Sequence, residues 1–199
     1  MRLKRLPIVF LLALLMLSSF NITTFAAQTV SVKITGVKQA KDNWCWAACA
    51  EMAGKCVYSS SNRTQYSVVN HLKGTSSNAY PDVPGTIGNS ATGSEYVAYN
   101  KKTFRGTSSI WTYGRITQSL VDGYPVQAAA GYYQGNKRNG GHVVVIYMTQ
   151  MVDSSSGTKN YVTYLDPADK KTYHCTYSSF CDGSYNERKY DQTAYVVPN

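Results

Sequence analysis

The change of pattern at Pro125 constrains this chain more than any other feature. Beyond it the sequence is written in β-branched and aromatic runs, namely Val126 to Tyr133, His142 to Met151, Asn160 to Leu165, Lys171 to Tyr177 and Ala194 to Val197. Gly, Asn, Asp and Ser turns separate them, and Gln134 to Gly141 and Asp153 to Gly157 read as hairpin loops. Before Pro125 the apolar residues instead recur at three- and four-residue steps. Helices first and strands afterwards give an α+β protein, with an N-terminal helical half packed against a C-terminal antiparallel β-sheet.

From Cys45 onward, Ala48, Cys49, Met52 and Ala53 share one face of a buried helix, with Asp42 or Asn43 as its N-cap and Gly54 as its stop. A second helix is expected over Thr64 to Lys73, closed by Gly74. Thr75 to Asn89, rich in Gly, Pro, Ser and Asn, reads as a surface loop. Two weaker helices are expected near Gly93 to Lys101 and Ser109 to Asp122, and a short strand over Thr29 to Thr35 precedes them all.

With 43% hydrophobic residues and 5 cysteines in 199 residues, the chain is neither disordered nor a disulfide-dense miniature scaffold. Its long apolar run, Ile8 to Phe20, follows Arg2, Lys4 and Arg5 and is too short to span a bilayer, which matches a secretory signal peptide. Cleavage after Ala26 leaves residues 27–199 as one domain, expected to be secreted, monomeric and free of any membrane anchor. Loss of the leader takes the basic residues from 20 to 17 against 11 acids, lowering the net charge from +9 to +6. The remaining cations are dispersed, apart from pairs such as Lys137-Arg138 and Arg188-Lys189, so nucleic acid is not an expected partner. The histidines are scattered and no Cys-x-x-Cys pair occurs, so neither a metal site nor a cofactor is expected.

Four residues carry candidate chemistry. Cys45 opens a helix, where unpaired N–H groups and the helix dipole favour a thiolate; the same position also suits half of a disulfide. Gln39, six residues earlier, can bring its amide beside that thiol and, with the Cys45 N–H, hold an oxyanion. His142 follows two glycines at the mouth of the apolar strand Val143 to Ile146, either as a general base or as an ordinary strand-end histidine. Asp166 ends the next strand before Pro167; if the two strands pair as a hairpin, it can orient the imidazole, and otherwise Asp-Pro is simply a turn starter.

Gln39 followed by Cys45-Trp46-Ala47-Ala48, then Gly141-His142-Val143 and Asp166-Pro167, resembles the papain-like cysteine peptidases. The likeness is to their compact bacterial branch, which includes bacteriocin-leader peptidases and secreted effector proteases, and it covers Val37 to about Pro167. The resemblance implies a papain-like fold, with Cys45 as nucleophile, His142 as general base and acid, Asp166 as orienter and Gln39 as oxyanion donor. A peptide or protein is the implied substrate. The chain departs from the plant-type pattern in having Asn43-Trp44 before the nucleophile and a further cysteine, Cys49, after it. Few residues separate the leader cut from Gln39, so control is expected from export, redox state or a separate protein inhibitor.

Five cysteines leave at least one unpaired within the chain. With Cys45 kept free, Cys49–Cys56 and Cys175–Cys181 are the simplest of three possible pairings. Two other functions fit the same residues: transglutaminase-like acyl transfer to an amine, and a non-catalytic binding module using some of the 17 tyrosines. The pocket walls, which set substrate preference, are expected to come from loops such as Thr75 to Asn89 and Gln134 to Gly141.

Overall fold

The computed structural model describes residues 27–198, so the expected signal peptide lies outside the described residues. The order is β1 (Ala27–Ser31), α1 (Cys45–Val57), α2 (Gln65–Lys73), α3 (Ile87–Val97), β2 (Phe104–Thr107) and α4 (Tyr113–Val121). There follow β3 (Val126–Gln134), β4 (Lys137–Ser154), β5 (Gly157–Asp166), β6 (Lys171–Thr176), α5 (Tyr177–Asp182) and β7 (Lys189–Val196). The strands form one seven-stranded sheet in the order β2-β7-β3-β4-β5-β6, with β1 added alongside β4. Every pairing is antiparallel, so the α+β architecture expected from the sequence is the one observed.

The run Val143 to Ile146 is apolar throughout because β4 is covered on both faces. Val143 and Val145 join Ala129, Leu165 and Ala194 against α1 and α3. Val144 and Ile146 point the other way, into a second core with Ile116 and Leu120 of α4 and Phe180 of α5. Helix α1 is buried almost all round, from Trp46 through Gly54, which an alanine-rich segment permits at small cost in side-chain entropy.

Several boundaries differ from the sequence expectation for identifiable reasons. Gly54 does not stop α1: a Cβ there would lie 2.5 Å from Val97 Cβ, so this glycine admits α3 against α1 in mid-helix. Trp44, not Asp42 or Asn43, occupies the N-cap position, and it offers no side-chain cap. Helix α3 begins within the expected loop. Thr86 caps it by accepting the Asn89 N–H at 3.1 Å, and Ser90, Gly93 and Ser94 lie on its close-packed face rather than breaking it.

The chain from Ser109 to Trp111 does not join α4. The Ser109 carbonyl accepts from Thr193 Oγ1 (2.6 Å), and the Trp111 N–H donates to the Tyr190 hydroxyl (3.3 Å), which ties this stretch to β7. Residues 135 and 136 alone form the turn between β3 and β4, so the expected hairpin loop is mostly ladder. Strand β2 and helix α5 were not expected from the sequence.

The cysteine pairing requires correction, since all five cysteines are free thiols. Cys49 and Cys56 lie seven residues apart on α1, a rise of about 10 Å. A disulfide spans no more than about 7 Å between Cα atoms. Cys175 on β6 and Cys181 on α5 are close enough to influence one another's ionisation, yet each remains a thiol.

Candidate active site

Three elements bring the site together. Cys45 is the first residue of α1, His142 lies on β4, and Asp166 is the last residue of β5. The β4/β5 ladder, with Val145 opposite Leu165, sets His142 and Asp166 at the same end of the sheet. His142 Nε2 is 2.5 Å from Asp166 Oδ1. The other ring nitrogen, Nδ1, is thereby left to face the thiol, and the Cys45 and His142 side chains are hydrogen-bonded.

The electrostatics favour a thiolate beside an imidazolium. Burial alone would push the Cys45 thiol up; the hydrogen bond and charge of His142, with N–H groups of Val143 and Trp46, bring it below its ordinary value. For His142 burial opposes the charged form, but Asp166 and Cys45 outweigh it and raise the imidazole to about 9. Asp166, despite burial, is held below the usual carboxylate range by His142, the Ala168 N–H and the Arg188 cation. Arg188 Nη1 stands 3.6 Å from Asp166 Oδ2.

Cys49, one turn below Cys45, is wholly buried and pushed well above the ordinary thiol value by burial and the nearby anions. Its S–H donates to the Val143 carbonyl at 3.1 Å. The Val143 N–H serves the Cys45 sulfur, so one residue of β4 holds both thiols.

Gln39 sits in the loop between β1 and α1. Its N–H donates to the Pro167 carbonyl at 2.8 Å, tying this loop to the turn after Asp166. The side-chain amide Nε2 donates to Lys41 O (3.0 Å) and Asp42 O (2.8 Å), which uses both its protons, while Oε1 is buried without a partner.

Gln65, at the start of α2, braces the same loop. Its Oε1 accepts the Ala40 N–H (2.9 Å) and its Nε2 donates to Lys38 O (2.8 Å), gripping Gln39 from either side. Glu51 of α1 accepts the Gln65 N–H at 2.7 Å and the Lys55 ammonium at 2.6 Å. Both Glu51 and Gln65 are buried. Sequence reasoning had no local signal for this brace, which joins residues from three segments.

A cleft of about 250 Å³ opens over Cys45 and His142. Its walls are Pro84 to Ile87 on one side and Ala129, Arg138, Gly140, Gly141, Val143 and Gln192 on the other. The Pro84 wall belongs to a strap running into α3 that two indoles hold down. Trp44 Nε1 donates to Pro81 O (3.0 Å) and Trp46 Nε1 to Val83 O (3.3 Å). Gly85 lies against the Trp46 ring so closely that a Cβ would strike it. A second cavity of about 250 Å³, between α4 and the end of β7, contains no cysteine or histidine.

Among the described residues no group of three or more His, Cys, Asp or Glu side chains is arranged to hold a metal ion. No helix among them is long and apolar enough to cross a membrane.

A thiol, an imidazole and a carboxylate hydrogen-bonded in sequence form the apparatus of cysteine-dependent acyl transfer. A family model described as the Peptidase_C39 like family matches residues 31–196, and the chain belongs to that family of cysteine peptidases. A comparison with curated proteins finds no match.

Proposed function

We propose that this protein is a secreted cysteine peptidase that works through Cys45, His142 and Asp166. The observation that carries the reading is the continuous chain from sulfur to imidazole to carboxylate, closed by the 2.5 Å contact between His142 Nε2 and Asp166 Oδ1. The Cys45 thiolate attacks the carbonyl carbon of a peptide bound in the cleft. His142 protonates the departing amine, and the acyl group stays on sulfur as a thioester. Water then attacks the thioester, His142 takes its proton, and the carboxylic acid product leaves as the thiol is restored.

The oxyanion forms next to the first turn of α1, where the Cys45 N–H has no intrahelical acceptor. Gln39 Nε2 is the second donor in this reading. Both its protons serve carbonyls of its own loop, so it exchanges one of those bonds for the oxyanion as the negative charge develops. Asp166 holds the imidazole by Nε2 and keeps Nδ1 turned to the sulfur.

The test is cleavage of a fluorogenic peptide mixture by the wild type and by Cys45→Ala and His142→Ala. Both variants are expected to lose cleavage, and Gln39→Ala to lose on the order of 100-fold in rate. Wild-type activity in Cys45→Ala would refute the assignment. Export is part of the same reading: protein recovered from culture medium is expected to begin at Ala27, as N-terminal sequencing can establish.

A further inference from the structure

The basic pair Lys137-Arg138 had no role in the sequence reading, and the fold carries one of its members into the cleft. Arg138 lies across a cross-strand pair of glycines, Gly131 of β3 and Gly141 of β4. A Cβ on Gly131 would come within 2.8 Å of Arg138 Nε, and one on Gly141 would collide with Nη2. Two side-chain-free positions therefore make the bed for one guanidinium, and one of them, Gly141, immediately precedes His142.

Asp191, from the neighbouring strand β7, fixes that guanidinium. Its Oδ2 accepts from Arg138 Nε at 2.6 Å and its Oδ1 from Nη2 at 3.5 Å, while the Tyr133 hydroxyl steadies Oδ2 at 2.8 Å. A guanidinium has five N–H donors, and Asp191 takes two. The outer edge, formed by both Nη1 protons and the second Nη2 proton, remains for a ligand. Among the described residues, Arg138 is also the sole permanently charged one lining the cleft, and no carboxylate lines it. Lys189, opposite Gly131 in the ladder and 5.9 Å from the Tyr133 ring, adds a second cation on this side.

We propose that Arg138 is the recognition group of a carboxylate subsite in the cleft, so that preferred substrates carry a carboxylate near the scissile bond. The group is either a Glu or Asp side chain or the substrate's own C-terminus, since both present the same planar pair of oxygens to a bidentate fork. Asp191 holds the fork in position and limits the cost of desolvating it without filling its outer edge. This inference rests on the peptidase reading for its catalytic arm, though not for its binding arm.

The catalytic experiment compares kcat/KM for matched peptides carrying Glu, Gln or Lys at each position around the cleaved bond, each with a free or an amidated C-terminus. The wild type is expected to favour a carboxylate over the matching amide by about tenfold or more, the scale of a charged hydrogen-bonded pair. Arg138→Gln is expected to bring that ratio below about twofold, and Arg138→Lys, which keeps the charge without the fork, to an intermediate value. A ratio abolished by amidation alone assigns the carboxylate to the C-terminus; one abolished by Glu to Gln alone assigns it to a side chain.

The binding arm measures the same peptides on Cys45→Ala protein by fluorescence anisotropy, so that failure of Cys45 as the nucleophile leaves the subsite testable. Equal binding of acidic, neutral and basic peptides would overturn the proposal. So would an unchanged acidic preference in Arg138→Gln, or displacement of the acidic peptide by heparin or an oligothymidylate as effectively as by unlabelled peptide.

Discussion

Replacing Asp166 with Asn keeps an oxygen near His142 Nε2 and removes the negative charge. In the native site His142 is raised from 6.5 to about 9. That displacement is worth about 3 kcal/mol in favour of the imidazolium. Two anions sustain it, Asp166 and the Cys45 thiolate, against burial. Loss of Asp166 is expected to lower the imidazolium by on the order of one pH unit and to weaken the thiolate it stabilises by a like amount, about 1 kcal/mol. The assay is the pH dependence of alkylation by iodoacetamide, with the modified residue identified by mass spectrometry. In the wild type Cys45 is expected to react below the pH of an ordinary thiol. In Asp166→Asn the inflection moves up by about one unit, and the rate at lower pH falls about tenfold. An unchanged inflection would mean that the carboxylate does not support the ion pair.

Other outcomes follow from the same structure. Peptidase activity is expected to fall on the alkaline side as His142 loses its proton near 9. His142 also links folding to pH. Its folded value lies above its ordinary 6.5, so the stability it contributes is complete below that pH and disappears as pH rises towards about 9, which denaturation midpoints across this window measure. Gly54→Ala forces a Cβ to 2.5 Å from Val97 Cβ, and overpacking costs about 1–3 kcal/mol against a gain of at most about 1 in helix propensity. A lower midpoint in urea is therefore expected, and a higher one would contradict the close approach of α1 and α3. Gln65→Ala leaves the Ala40 N–H and Lys38 carbonyl unpaired, at about 1–3 kcal/mol each if water stays out. Its activity is expected to drop with little change in the pH at which Cys45 alkylates, since the brace acts on Gln39 and not on the thiol.

The residues that meet in the site were legible because each left a local mark. Cys45 opens an apolar helical stripe, His142 follows paired glycines ahead of an apolar run, and Asp166 sits at a strand end before proline. The α+β order was legible for a similar reason, since the change of periodicity at Pro125 is long and unambiguous. The first turn of helix α3 was not legible because Gly88 and Asn89 continue the Gly-, Pro-, Ser- and Asn-rich composition of the preceding loop, and the packing of Ser90 and Gly93 on α1 shows only in the fold. A Cβ at Gly93 would lie 2.9 Å from Ala50 Cβ, a constraint that no local pattern carries. The disulfide expectation came from counting cysteines in a chain expected to be exported, and helix geometry overrules it for Cys49 and Cys56. Arg138 and the Gln65 brace were invisible for the opposite reason: their meaning lies wholly in residues distant along the chain.

Two of the molecule's 3 tryptophans, Trp44 and Trp46, flank Cys45 and hold the Pro81 and Val83 carbonyls, whereas Trp111 lies in the second core across the sheet. The near wall of the cleft cannot lift without releasing an indole N–H into a different dielectric. Intrinsic emission is thus an optical gauge of that wall, needing no added label, with the distant Trp111 as a built-in reference for whether the rest of the fold has stayed intact.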